Sequence, residues 1–120
     1  MSSFNIPKNS RSTTVTVECD TDGRQETLYT CPPNTRSHMS LLFVSNVSGT
    51  VTVDVEWNRA DGAHVHILGG KNLSAGDFLQ ISEGYIVFEA GDVLNVTATG
   101  STPHVDVLAT VEEFFVPVGS

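Results

Sequence analysis

Apolar and polar residues alternate with a period of two along most of the chain. In TVTVDVEWN, Val51, Val53, Val55 and Trp57 point one way while Thr52, Asp54 and Glu56 point the other. This is the pattern of a strand with one buried and one wet face. TTVTVEC repeats it with Val15, Val17 and Cys19 against Thr14, Thr16 and Glu18. HVDVLATVEE does so with Val105, Val107, Ala109 and Val111 against Asp106, Leu108, Thr110 and Glu112. SLLFVSN is apolar on both faces, which predicts a central place in a sheet. No window carries a helical stripe.

Turn chemistry separates these runs. TDGR at 21–24, NVSGT at 46–50, ADGA at 60–63, LGGKN at 68–72 and TGSTPH at 99–104 offer Gly, Asp, Asn or Pro where the chain must reverse. Eight or nine strands follow, at 13–19, 26–31, 37–46, 50–58, 63–68, 77–81, 85–89, 93–99 and 104–114. Their spacing of about 8 to 12 residues predicts an all-β protein, a single antiparallel β-sandwich of jelly-roll or Ig-like type. Ala-Gly-Asp occurs twice, at 75–77 and 90–92. Each copy reads as a turn in which Gly takes the unusual backbone angles and Asp77 or Asp92 caps through its side chain. A calcium loop would gather several acids, and these carry one each.

The 120 residues fit one domain: a flexible basic N-terminal arm at 1–12, the sandwich at 13–113 and an apolar C-terminal extension at 114–120. The formal charge of −8 argues against nucleic acid as a partner. Lys8 and Arg11 nevertheless stand in residues 1–12 without an acid. Apolar runs are too short to cross a bilayer, so no membrane partner is expected. The N-terminus lacks a signal-peptide pattern, which predicts synthesis in a cytoplasm without ordinary export. Cys19 and Cys31 are too few for a disulfide framework and read as small core residues, although a bond between neighbouring strands stays open.

Candidate chemistry is sparse. His64 and His66 share a strand face and could approach a metal, with a third ligand from His38, His104 or a carboxylate elsewhere. The apolar alternation of Ala63, Val65 and Ile67 instead puts both on the wet side. There is no Gly-x-Ser-x-Gly elbow, no histidine near either cysteine in sequence and no Walker loop. We therefore expect no enzyme, no cofactor and no metal. A sugar-stacking platform is the main rival, but Trp57 falls on the core side. Asn-x-Ser/Thr at Asn46, Asn72 and Asn95 would matter only in a secreted chain. The termini say more: Phe4 and Ile6 with Lys8 and Arg11 at one end, and Phe114, Phe115, Val116 and Val118 at the other, are residues with which a subunit reaches a neighbour.

LYTCPPNTRSHMSLLFVSNVSGTVTVDVEW, then LSAGDFLQI, VFEAGDVLNVTAT and VDVLATVEEF, resemble a group of small virion structural proteins of tailed bacteriophages. The shared order is a Tyr-Thr-x-Pro opening, a strand ending in Asn before a Gly turn, an Ala-Gly-Asp turn, and alternating valines before a glutamate. It covers about residues 28 to 113, leaving both termini outside it. The resemblance implies a non-enzymatic β-sandwich of the virus particle, present in many copies and made in the host bacterial cytoplasm. It would be a capsid decoration or cement protein, or a component of the neck, tail or fibre attachment, with the major capsid protein or other virion proteins as partners and further copies of itself in a homo-oligomer. A glycan-binding module for host attachment is the reading from a different class.

Overall fold

The computed structural model describes residues 10–84 and 86–116. They contain nine strands: β1 (Ser10–Cys19), β2 (Gln25–Thr30), β3 (Thr35–Asn46), β4 (Val51–Asn58), β5 (His64–Leu73), β6 (Phe78–Ile81), β7 (Ile86–Phe88), β8 (Val93–Thr99) and β9 (Val105–Phe115). Every pairing is antiparallel. β1 pairs with β9, β2 with β8, β3 with β6 and β7, and β4 with β5. This is one long hairpin rolled up, and the roll leaves two sheets in the orders β1-β9-β3-β6 and β2-β8-β4-β5. The interleaving is that of a jelly roll, which decides between the two sandwich types. β6 and β7 share one edge position, pairing with successive stretches of β3. Nine strands thus fill eight places.

The alternation sets which side chains enter the space between the sheets. Val44, Val53, Val55, Leu94, Val96, Val105, Val107 and Val111 are almost wholly buried there, together with Phe88. Each contributes roughly 1.5–3 kcal/mol relative to an exposed position. β3 lies between β9 and the β6/β7 edge, the central place that its two apolar faces predict. Both cysteines are free and buried.

Two expectations are corrected. LGGKN at 68–72 is not a turn. β5 runs through it to Leu73 with two bulges against β4, and the Gly70 N–H donates to Asp54 Oδ1 at 2.7 Å. Glycine supplies the positive φ of 69° that a bulge requires. The boundaries of the body also move outward. β1 begins at Ser10 and β9 ends at Phe115, so Arg11, Phe114 and Phe115 belong to the sheet and not to terminal arms.

The Ala-Gly-Asp turns have matching backbones. Gly76 and Gly91 have φ of 79° and 88°. In the first turn Gly76 N–H donates to Asn46 O and Asn46 N–H to Asp77 O; in the second, Gly91 N–H donates to Cys31 O and Cys31 N–H to Asp92 O. Their side chains differ. Asp77 is exposed, whereas Asp92 is buried and accepts from Trp57 Nε1 (3.0 Å), Ala60 N (2.8 Å) and Glu89 N (2.9 Å). Asp92 is therefore a structural anchor between two loops.

Candidate assembly surface

The register of β1 on β9 joins the two ends of the described chain. Ser10 lies opposite Phe114 and Arg11 opposite Glu113, while Thr35 of β3 faces Phe115 from the other side. The chain enters and leaves at one end of the five-stranded sheet. Val116 continues past β9 by donating its N–H to Asn34 O at 2.8 Å. Phe115 and Val116 are exposed, at 59% and 42%, and Phe114 packs its ring against His38 with centroids 4.7 Å apart. Of the expected interface residues, Arg11, Phe114, Phe115 and Val116 converge on this corner. Phe4, Ile6, Lys8 and Val118 lie outside the described residues.

Arg11 is paired within its own chain while most of its side chain stays exposed. Its Nε donates to Glu113 Oε1 at 2.8 Å, and that pairing raises its already high pKa. Glu113 continues the inward parity of Val105 to Val111, so its carboxylate enters the sandwich, where the Tyr29 hydroxyl donates to Oε2 at 2.7 Å. Burial alone would raise the Glu113 pKa. The hydrogen bonds from Tyr29 and Arg11 and the Arg11 charge outweigh it and hold the carboxyl below its ordinary value. With the phenol proton committed, Ser37 Oγ sits 2.9 Å from the Tyr29 oxygen and 3.2 Å from Cys31 Sγ. The corner where the described chain begins and ends thus rests on a polar network contributed by β1, β2, β3 and β9. Glu113 was legible from the alternation alone; Tyr29 as its partner required the pairing of sheets.

A second surface lies at the opposite end of the same sheet, on its outer face. Thr16 and Glu18 of β1, Asp106 and Leu108 of β9, and Phe43 and Ser45 of β3 line a groove of about 490 Å³. Phe43 stacks on Phe78, centroids 5.6 Å apart, and Phe78 is 63% exposed. Glu18 and Asp106 oppose each other across the β1–β9 ladder. His104 Nε2 lies 3.2 Å from the former and 3.5 Å from the latter. These three offer ligand atoms within 4.8 Å of one another. Leu108 on a wet-face position and the double-sided apolar run of β3 were the sequence signals for this face.

The other candidates are placed elsewhere. His64 and His66 are exposed on the edge strand β5 and flank Glu56, at 3.9 and 3.4 Å, with the His64 ring also bonded to Asn58. His104, weighed as their third ligand, belongs instead to the Glu18 and Asp106 group. Burial pushes the Cys19 thiol up to about 11 and raises that of Cys31, the reverse of an activated nucleophile. Trp57 meets Phe88 nearly at right angles and carries Arg59 over its ring, so the ring is engaged within the chain. Asn46 and Asn95 are buried and closed to modification.

No family model matches the chain, and no curated protein matches it. Solved structures do. A Bacillus endospore appendage, from a family described as disulfide-linked pili, aligns over 98% of this chain and 97% of its own with a TM-score of 0.57 and 8% identity. A structure of infectious bursal disease virus, Gx strain, aligns over 92% of this chain and 34% of its own with a TM-score of 0.53 and 11% identity. The fold is shared with both.

Proposed function

We propose that this chain is a non-enzymatic structural subunit of a virus particle, namely a decoration or cement protein bound to the major capsid shell of a tailed bacteriophage. The observation that carries the reading is the convergence of both ends of the described chain on one corner, with Phe115 and Val116 exposed beside the root of β1 and a buried network beneath that corner. Apolar groups displayed at a fixed end of a rigid sandwich suit repeated contact with neighbours, and modest interfaces multiplied over a shell stabilise it. Jelly rolls recur in viral shells and in lectins, so the fold alone is an analogy. Two findings favour the structural role: the fold neighbours are an appendage and a virus, and the Trp57 face that a sugar would need is engaged. A net charge of −8 keeps decorated particles apart.

Quantitative mass spectrometry of purified particles tests this by the ratio of this chain to the major capsid protein. A ratio near a simple fraction of the capsid copies is expected. A handful of copies moves the protein to the neck, tail or fibre attachment, and its absence from particles overturns the virion reading.

A further inference from the structure

We propose that the groove between Leu108 and Phe43 receives residues 1–9 of a second copy, so that copies join head to tail along the five-stranded sheet. The inference rests on the assembly reading above and supplies its contact. Three properties of the groove select the occupant. Leu108 and Phe43 give it apolar walls, and its volume of about 490 Å³ lies in the range that holds a drug-sized molecule, hence an aromatic and an aliphatic side chain together. Its rim carries Glu18 directly opposite Asp106. Like charges placed across a ladder disfavour each other, so a cation seated between them is favoured. His104 lies against the same two carboxylates, 3.2 Å from Glu18 and 3.5 Å from Asp106, so the rim carries two acids around one imidazole. Residues 1–9, MSSFNIPKN, match both features with Phe4 and Ile6 as apolar anchors and Lys8 as the cation, and they contain no acid.

Position decides between a chain's own groove and a neighbour's. The described chain starts at Ser10, and the groove lies beside Thr16 and Glu18 at the far end of β1. Eight residues of strand span about 26 Å. To reach its own groove the segment would have to reverse at Ser10 and run back nearly fully extended, whereas a neighbour stacked end to end needs no reversal. Donor and acceptor are different surfaces of one chain, so the contact is heterologous, and copies close into a ring or continue as a filament.

The test uses the full chain and two variants, Phe4→Asp/Ile6→Asp as the donor-defective and Leu108→Asp as the acceptor-defective form, each checked for wild-type circular dichroism. Mass photometry and light scattering read the oligomeric state. The wild type is expected to self-associate, each variant alone to weaken association at least tenfold, and an equimolar mixture of the two to give a discrete dimer through the one intact donor and acceptor. Charge reversal offers a second readout: Lys8→Glu and Glu18→Lys each weaken association, and their combination in one chain restores it. If the wild type self-associates and the variants do so equally, the groove is the wrong contact while the assembly reading survives. If the wild type stays monomeric and Phe4→Asp/Ile6→Asp lowers only its melting temperature, the segment folds onto its own groove and the head-to-tail contact is overturned. A monomer unaffected by any variant overturns it too. So does shell binding that needs Leu108 but not residues 1–9, which would give the groove to the capsid.

Discussion

The hydroxyl of Tyr29 on β2 and the carboxylate of Glu113 on β9 meet 2.7 Å apart, tying the two sheets together beneath the corner formed by Ser10, Arg11, Phe114 and Phe115. Because the Glu113 pKa is lower in the folded chain than in the unfolded one, its contribution to stability is fully present above the unfolded value, near about 4.3. It fades as pH falls through the lower folded value. Glu113→Gln should cost roughly 1–2 kcal/mol at pH 7. The gap between variant and wild type in urea unfolding should narrow below about pH 4, and a gap that stays constant to pH 2 would show that the carboxylate charge contributes nothing.

The two Ala-Gly-Asp aspartates should separate sharply on substitution. Asp92→Ala strips acceptors from Trp57 Nε1, Ala60 N and Glu89 N, and should cost about 3 kcal/mol or more. Asp77→Ala, at an exposed carboxylate, should stay within about 1 kcal/mol. Fluorescence of the single tryptophan, which bonds Asp92 directly, reports both in one denaturation series.

The glycines of the same turns give a finer comparison. Alanine at either must adopt a positive φ, at a cost of about 1–2 kcal/mol. A Cβ at Gly76 meets open space, whereas one at Gly91 would stand 3.2 Å from the Ala60 Cβ. Gly91→Ala should therefore be the more destabilising in thermal melts. Equal melting temperatures would mean that the 59–62 loop yields freely.

The cysteines should resist chemistry until the fold opens. With its pKa pushed up to about 11, Cys19 holds about one thiolate in a thousand at pH 8. An aromatic disulfide reagent should label neither thiol of the native chain within minutes and both after denaturation, with a melting temperature independent of reductant. Rapid native labelling would show that one sheet edge opens readily. Linkage of copies through these two thiols, as in a disulfide-linked pilus, has no exposed sulfur to start from.

Most of the strand layout was legible because strands such as β4 and β9 bury one face, and a period of two records that directly. What misled was local chemistry read without its partner strand. Gly69 and Gly70 look like a turn, yet the Asp54 carboxylate across the ladder turns them into a bulge of β5. Arg11 looks like a free cation until Glu113, 102 residues away, is placed beside it. The pairing of β1 with β9 leaves no signal in either segment, since many Thr-Val strands could accept the same alternating neighbour. The outward face of Phe43, Leu108 and Phe78 was visible only as surplus apolarity, because a sequence shows how much apolar surface exists but not which of it shares a sheet.

The rolled hairpin also dictates when the molecule can become itself. β1, the first strand described, hydrogen-bonds to β9, the last, and β9 also completes the central strand β3. All the other described strands are made before β9, so the five-stranded sheet closes only after β9 has been synthesised. The corner of Ser10, Arg11, Phe114 and Phe115 forms in that closing step. A chain interrupted before β9 lacks the corner altogether, because Phe114 and Phe115 and the partners of Ser10 and Arg11 are missing from it.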